Sequence, residues 1–197
     1  NYEKTCGGHD LKVLAGTSVE QTSNKGLEGY RNTFPNNALY QLGAGDASTA
    51  TNSSSLEEYA LVSFFGRVNY AFKDKYLLEA NLRYDGSSRF AKDNRWGIFP
   101  SVSAGWRISE ENFWKNSRAG EVVNNLKLRA SYGVLGNQNI GDFAYAPTIA
   151  LGGASANYIL GNNLVTGSVQ TSISNPELTW EKANQLDLGI DFGLFNN

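Results

Sequence analysis

The feature that most constrains the fold is a pair of alternating runs between Tyr59 and Asp85. In the first run the apolar side chains occupy even positions, namely Val62, Phe64, Val68, Tyr70 and Phe72. In the second run the even positions carry Tyr76, Leu78, Ala80, Leu82 and Tyr84, and the odd positions carry Glu79, Asn81, Arg83 and Asp85. A period of two over about ten residues is typical of a strand with one apolar and one polar face.

The segment between the two runs predicts an antiparallel hairpin. Even residues pair with even residues only if the connection holds an odd number of residues, so we expect the turn to be Lys73-Asp74-Lys75. This register places Asn69 opposite Glu79 and Arg67 opposite Asn81. Arg67 and Glu79 are then diagonal neighbours within reach of an ion pair.

Strand length and aromatic placement favour a membrane-spanning sheet. Ordinary strands average about five to six residues, whereas these need about ten, the length that crosses a bilayer at a tilt. Tyr70, Phe72 and Tyr76 cluster beside the short turn, and Tyr84 lies at the far end. Outer-membrane barrels carry aromatic girdles at both interfaces, because amphipathic rings are most stable between lipid and water.

Composition is consistent with this interpretation. The chain has 197 residues, a formal net charge of −2 and 12% aromatic residues, so no charge bias indicates nucleic acid. No run approaches the 18 apolar residues of a transmembrane helix, whereas barrel strands are half polar. The chain begins at Asn1 without a signal peptide and contains no methionine, so we expect an internal fragment.

Cys6 has no disulfide partner, and Cys6 with His9 is interpreted as a strand-end turn rather than a metal site.

Four further alternating segments raise the expected number of spanning strands to six. They are Asp10 to Glu20, about Gly97 to Ile108, about Asn125 to Leu135, and about Leu178 to Phe192. In the last segment Leu186, Leu188, Ile190 and Phe192 are expected to face lipid, with Trp180 at the outer end of that face. Pro100 lacks a donor, so we expect it near a strand entry or at a bulge.

The connections between strands are expected to be long on one side of the membrane and short on the other. Gln21 to Leu56 and Gly136 to Glu177 are long, polar and without sustained period, and the Lys73–Lys75 turn is short. Long extracellular loops and short periplasmic turns are the pattern of outer-membrane barrels. A small hairpin from Tyr158 to Thr171 is expected within the second loop. The exception is the inner connection from Ser109 to about Asn124, in which we expect a helical turn with Ser109 as its N-cap.

Several long blocks resemble the SusC/RagA-type TonB-dependent outer-membrane transporters. They include FGRVNYAFKDKYLLEANLRYDGSSRF, WGIFPSVSAGWRISEENF, LKLRASYGVLGNQNIGDFAY and NPELTWEKANQLDLGIDFGLFNN, which cover about Leu61 to Asn197 in the expected order. The GHDLKVLAGTSVEQ strand near the beginning is also similar. The resemblance implies an all-β, antiparallel up-and-down transmembrane barrel of about 22 strands with an N-terminal plug.

On this resemblance the 197 residues form an interior part of the barrel domain, without the plug. Six strands cannot close such a barrel, so the segment alone is expected to form a curved open sheet. The implied partners are a SusD-like surface lipoprotein, TonB through an N-terminal segment outside this chain, outer-membrane lipid, and an imported oligosaccharide or peptide. No cofactor, metal or nucleic acid is implied.

Candidate ligand contacts lie in the predicted loops and on the inward face. Sugar recognition uses aromatic faces together with amide, carboxylate and guanidinium groups. That chemistry selects Arg83, Arg89, Phe90, Trp96, Asn137, Gln138, Asn139 and Tyr145. The alternative is that these side chains pack loops together, and that inward charges pair across strands or with the plug. No catalytic pattern surrounds the single histidine, His9, and we expect no enzyme activity.

Two other functions remain open from the residues alone. A soluble β-sandwich carbohydrate-binding module would share the alternating strands, but it gives no reason for loop length to differ by side. An outer-membrane barrel with a structural or enzymatic role would share the whole pattern. A plug and a TonB-contacting motif in the full-length sequence would distinguish the transporter from that last alternative.

Overall fold

The computed structural model of the protein describes residues 1–152 and 156–194. Seven strands form one antiparallel sheet in the order β1-β2-β3-β4-β5-β6-β11. Their bounds are β1 Tyr2–Cys6, β2 His9–Tyr30, β3 Thr51–Phe72, β4 Tyr76–Ser87, β5 Trp96–Arg107, β6 Val123–Asn137 and β11 Glu181–Leu194. Six of these are long, as expected, and the short β1 adds a seventh. The sheet is curved and open, which confirms the predicted fold class.

Smaller elements occupy the connections. Two two-stranded sheets lie between β6 and β11, one formed by β7 Ile149–Leu151 with β10 Ser168–Gln170, and one by β8 Asn157–Leu160 with β9 Asn163–Thr166. The second is the small hairpin expected in this loop. Short 3₁₀ turns span Leu42–Ala44, Ala47–Thr49, Lys92–Asn94 and Ile108–Glu110, and the helices are α1 Asn112–Lys115 and α2 Arg118–Val122. Among the described residues, no helix combines the length and the apolar character needed to cross a membrane.

The register of the sheet agrees with the alternation. Phe72 pairs with Tyr76 across the predicted turn, and the pairs Asn69–Glu79 and Arg67–Asn81 form as expected. Lys73 and Asp74 adopt positive φ of 51° and 55°, which lets three residues reverse the chain. At the other inner turn Cys6 pairs with His9 around Gly7 and Gly8, so the Cys6–His9 segment is a strand-end turn.

The pairing gathers most apolar positions on one side of the sheet. We call this side the apolar face: odd residues of β2 and even residues of β3, β4, β5, β6 and β11. Its large side chains are exposed, including Leu82, Ile98, Tyr132 and Leu188. The opposite side, the polar face, carries the charged and hydroxyl side chains. Apolar groups this extensive on one exposed face are typical of a surface that contacts lipid.

Two rows of rings border the apolar face. At the inner end Tyr76 lies 6.4 Å from Phe72 and 6.5 Å from Trp106, measured between ring centroids. At the outer end Trp96 stacks on Tyr84 at 4.6 Å and lies 6.2 Å from Phe64. From Trp96 to Trp106 the strand rises about 33 Å, or about 25 Å along the normal at a tilt near 40°. This height matches the apolar band of an outer-membrane barrel.

A carboxylate fixes the inner row to the following connection. Glu111 accepts hydrogen bonds from the Tyr76 hydroxyl at 2.7 Å, the Lys75 ammonium at 3.0 Å and the Trp106 indole at 3.3 Å. The Tyr76 hydrogen bond, followed by the Lys75 hydrogen bond, lowers the pKa of the Glu111 carboxyl. Glu111 therefore stays ionised at neutral pH and holds the start of α1 against the apolar face.

Two expectations about boundaries and caps are wrong. The segment Gln21 to Leu56 is not all loop, because β2 continues to Tyr30 and β3 begins at Thr51. Ser109 is buried in a 3₁₀ turn and caps no α-helix; the side-chain cap is Ser117, which accepts a hydrogen bond from the Gly120 amide at the start of α2.

Pro100 is neither at a strand entry nor at a bulge, because it lies inside β5 and pairs with Leu82. The Arg107 amide donates to Lys75, so odd residues of β5 bond β4 and even residues point toward β6. Pairing between β5 and β6 begins at Ser101, one residue beyond the proline. The missing N–H of Pro100 therefore breaks no bond to β4 and faces the side where the ladder has not yet begun.

If the two faces are assigned correctly, the same substitution at two adjacent positions should reduce stability by very different amounts. Val102→Arg places a charge at mid-height on the apolar face and should destabilise the full-length protein in lipid vesicles by about 2–4 kcal/mol. The matched control, Ser103→Arg, places the same charge on the polar face and should cost less than about 1 kcal/mol. Urea unfolding in vesicles measures both, and equal losses would contradict the assignment of faces.

Candidate functional site

The candidate site is the polar face together with the loops that meet its outer end. At mid-height a chain of side-chain hydrogen bonds crosses three strands. Arg67 Nε donates to Asn81 Oδ1 at 2.6 Å, and Asn81 Nδ2 donates to Glu79 at 2.8 Å and to Ser101 at 3.3 Å. Arg67 and Glu79 are thus joined through Asn81, and no direct ion pair between them occurs within the described residues. This network lies on the polar face of the sheet, which we also call the wall, and it does not use every polar group of that face.

Arg83 lies closer to the outer end of the polar face. Its guanidinium forms an ion pair with Asp85 at 3.2 Å and donates to Ser63 at 3.2 Å. Its carbon centre lies 5.8 Å from the Phe65 ring, which explains an apolar residue on this face, since aromatic faces attract cations. The Arg83 side chain remains 49% exposed, whereas Asp85 and Ser63 are buried. Asp85 and Ser63 therefore hold the Arg83 guanidinium in place and leave part of it exposed.

A second ion pair occupies the inner end of the same face. Arg129 lies 3.3 Å from Asp191, and both side chains are exposed. Lys127 occupies the same face on the same strand, one pleat closer to the inner end. Exposed pairs of this kind contribute about 0–1 kcal/mol, so their charges remain available to other partners.

Above the wall, three aromatic side chains form the core that joins the outer loops. We call Phe90, Phe99 and Trp180 the outer cluster; Phe90 is 0% exposed, and the Trp180 ring lies 5.3 Å from Phe90 and 5.0 Å from Phe99. The Trp180 indole also donates to the Arg95 carbonyl at 2.9 Å. The prediction that Trp180 lies at the outer end of the lipid-facing row is therefore wrong. Trp180 precedes β11, so strand alternation does not set its direction.

Arg89 clamps the outer loops to the wall. Its Nε donates to Asp142 at 2.8 Å, with only 18% and 12% of the two side chains exposed. Its guanidinium also lies 4.1 Å above the Tyr59 ring, and Nη1 donates to the Gln138 carbonyl at 3.4 Å. One side chain therefore connects β3, the β4–β5 loop and the loop after β6.

The remaining predicted residues separate into two groups. Asn137 donates to Glu181 at 2.9 Å and accepts from the Asn139 amide at 2.9 Å, which orders the exit of β6. The Tyr145 carbonyl accepts hydrogen bonds from Asn175 and Ser174. Trp96, by contrast, lies on the apolar face in the outer ring row, away from the polar face. Its position is that of an interface anchor.

Sequence reasoning missed several members of the site. Asp142, Tyr59 and Phe99 were not selected, because their contacts depend on which loops meet in space. Phe99 is an apolar residue on an odd position, and that exception was the available signal. Within the described residues, Arg95 Nε and Gln138 Oε1 are buried without a hydrogen-bond partner, so the loop packing leaves polar atoms unsatisfied.

The chain is similar to a family of known proteins. The family described as TonB dependent receptor-like, beta-barrel matches residues 4–197. The chain is 40% identical to TonB-dependent receptor P3 of Formosa agariphila over 198 residues, which covers 100% of this chain and 19% of that protein. It is 38% identical to TonB-dependent receptor SusC of Bacteroides thetaiotaomicron over 196 residues, covering 99% and 19% respectively. The chain thus spans about a fifth of the length of these curated relatives.

Solved structures give the same result. The structure of the RagAB peptide transporter superposes with a TM-score of 0.82 and 29% identity, covering 99% of this chain and 21% of that chain. The RagAB peptide importer in the open-open state gives a TM-score of 0.82 and 30% identity.

The Arg89 clamp makes a specific prediction. Arg89→Met in the full-length protein leaves the Asp142 carboxylate without its main partner, and we expect a local cost of about 1–3 kcal/mol. Amide hydrogen exchange should accelerate in residues 138–145 and stay unchanged in β4 and β5. Arg67→Met, an exposed arginine of the same wall, is the matched control and should leave that loop unaffected. Equal exchange in wild type and Arg89→Met would show that the clamp does not hold the loop.

Proposed function

The chain belongs to the TonB-dependent receptor-like β-barrel family, a family of transporters and receptors, and we propose that its protein imports oligosaccharides or peptides across the outer membrane. In this proposal residues 1–197 are part of the barrel domain. A plug and a TonB-contacting segment lie elsewhere in the protein, and a SusD-like surface lipoprotein acts as its partner. The chain supplies wall and loops, and we assign it no catalytic role.

The observation that carries the proposal is the division of the sheet into two faces bordered by aromatic rows. The exposed apolar face needs lipid, and its height of about 25 Å fits an outer membrane. The polar face carries a partly exposed arginine and a ladder of amides and hydroxyls, which suits a water-filled path for polar solutes. A soluble β-sandwich carbohydrate-binding module would bury the apolar face instead, so this alternative loses its support.

The substrate class follows from relatives and from side-chain chemistry. RagAB is a peptide transporter, and SusC is a second relative of the same family. Amides, hydroxyls and a guanidinium on the polar face can bond hydroxyl groups of sugars and carbonyl or carboxylate groups of peptides. Both classes therefore remain within the proposal.

Among the predicted ligand contacts, Arg83 has the best position. Its guanidinium is half exposed on the polar face, and Asp85 and Ser63 orient it. Asn139 and Tyr145 lie in the loops above and complete the proposed contacts. Arg89, Phe90, Asn137 and Gln138 act through the loop packing that holds this surface, because each is engaged within the outer loops or buried there.

Import is tested by deleting the full-length gene and supplying labelled oligosaccharides and labelled peptides to the cells. We expect uptake of one class to disappear in the deletion strain, to return on complementation and to be abolished by an uncoupler of the proton-motive force. Unchanged uptake of both classes would contradict the proposed function.

The role of Arg83 is tested by measuring how the purified full-length protein binds the substrate that is found to be imported. Arg83→Gln should weaken equilibrium binding to the purified full-length protein about tenfold, which corresponds to about 1.4 kcal/mol and one charge-assisted hydrogen bond. Arg129→Gln removes an exposed, aspartate-paired arginine from the inner end of the same face and should change binding less than about twofold. Equal binding by wild type and Arg83→Gln would exclude the contact.

A further inference from the structure

The hairpin of β2 and β3 extends beyond the rest of the sheet. Both strands have 22 residues, and they pair continuously from His9–Phe72 to Tyr30–Thr51. β4 pairs with β3 only as far as Leu61–Ser87, where the chain turns into a loop. The paired segments Gln21–Tyr30 and Thr51–Ala60 therefore form a two-stranded ribbon that rises about 33 Å past the end of β4.

The register determines which main-chain groups of this ribbon lack a partner. The Ala60 carbonyl accepts from the Ser88 amide at 2.9 Å, and the Ala60 amide donates to the Ser88 hydroxyl at 2.9 Å. Even residues of β3 thus point their N–H and C=O groups toward β4, whereas odd residues bond β2. Farther outward, β4 no longer pairs with β3. On that side the main-chain groups of four residues point away from β2: Asn52, Ser54, Leu56 and Glu58. No register shift interrupts the pairing of this segment with β2.

This edge is uncovered. Residues 51–58 are all exposed. Within residues 1–152 and 156–194, no group hydrogen-bonds the outward N–H or C=O of Asn52, Ser54, Leu56 or Glu58. On the opposite edge of the hairpin, β1 pairs with the start of β2, from His9 to Val13.

The sequence also omits the devices that normally block such an edge. Natural edge strands carry charged side chains, above all lysine, or proline or a bulge, because unpaired main-chain groups otherwise bind another strand. Thr51 to Leu56 contains no charged residue and no proline, and Asn52 to Ser55 reads Asn-Ser-Ser-Ser. Short side chains leave the main chain accessible. An unblocked edge of this length is suited to strand addition, in which an extended segment hydrogen-bonds the exposed main chain.

Charge indicates the chemistry of the added segment. The ribbon carries three carboxylates, Glu28, Glu57 and Glu58, against the single amine of Lys25. Glu57 and Glu58 lie on β3 itself, next to the open edge. A negative ribbon favours a segment with lysine or arginine side chains, since complementary charge accelerates association and fixes register.

We propose that the outer edge of β3, from Asn52 to Glu58, binds an extended basic segment of the partner lipoprotein by strand addition. The ribbon lies on the outer side of the membrane, beyond the outer ring row, where only an extracellular partner reaches it. This inference rests on the proposed function for the side of the membrane and for the existence of the partner. It adds the site and the mode of contact.

One substitution tests the main-chain contact directly. Ser54→Pro removes an outward N–H and leaves the bonds to β2 in place, because those bonds use odd residues of β3. We expect it to weaken binding of the full-length protein to its separately purified SusD-like lipoprotein by about tenfold. Ser54→Ala keeps the N–H, is the matched control, and should bind within about twofold of wild type. Binding of Ser54→Pro at wild-type strength would overturn the proposal.

Hydrogen exchange on the unmodified full-length protein decides the case even if the proline variant fails to fold. The amides of Asn52, Ser54, Leu56 and Glu58 should exchange rapidly in the protein alone and slow by at least tenfold when the lipoprotein is added. Unchanged exchange on addition would overturn the proposal. Slow exchange in the protein alone would also overturn it, since another segment of the same protein would then cover the edge. Protection of these amides by the lipoprotein, together with unchanged uptake in the deletion strain, would instead count against the proposed import alone.

Discussion

The structure depends on one constraint: a strand in hydrocarbon has no water to satisfy its main-chain groups, so each must bond a neighbouring strand. The ladders from β2 to β5 and from β6 to β11 are continuous between the two ring rows, whereas β5 pairs with β6 only from Ser101 inward. Because the pairing never slips by one residue there, the alternating apolar positions stay on one face. Pro100 is tolerated for the same reason, since its missing donor faces a side where pairing has not begun.

The two ends of the sheet are built differently. At the inner end Glu111 ties the rings of Tyr76 and Trp106 to a short helical connection, so the wall ends close to the membrane. At the outer end the loops fold over the polar face around the outer cluster, with Arg89 joining three segments. The β2–β3 ribbon then continues outward as a separate, uncovered surface. In the proposed function, the sheet, the loops and the ribbon would contact lipid, solute and partner protein, respectively.

The sequence predicted the parts of the fold where a lipid–water boundary enforces a period of two. The Lys73–Lys75 turn, the pair Asn69–Glu79 and the lipid-facing side of β4 followed from parity alone. The ribbon was missed because both of its faces are wet above the ring row, so nothing enforces alternation in Thr51–Glu58. Trp180 was misplaced because it lies just outside its strand, where packing on Phe99 outweighs the period. The Arg89–Asp142 clamp joins residues 53 positions apart in two loops, and no local signal specifies such a contact.

The central claim is that one face of β4 and β6 contacts acyl chains while the other contacts water, and it is tested most directly by labelling from the lipid phase. A photoreactive apolar probe, dissolved in membranes that hold the full-length protein, should label Leu82 and Leu128 and spare their neighbours Arg83 and Arg129. Labelling of the two arginines with the two leucines spared would contradict the account, because the assignment of faces would then be inverted.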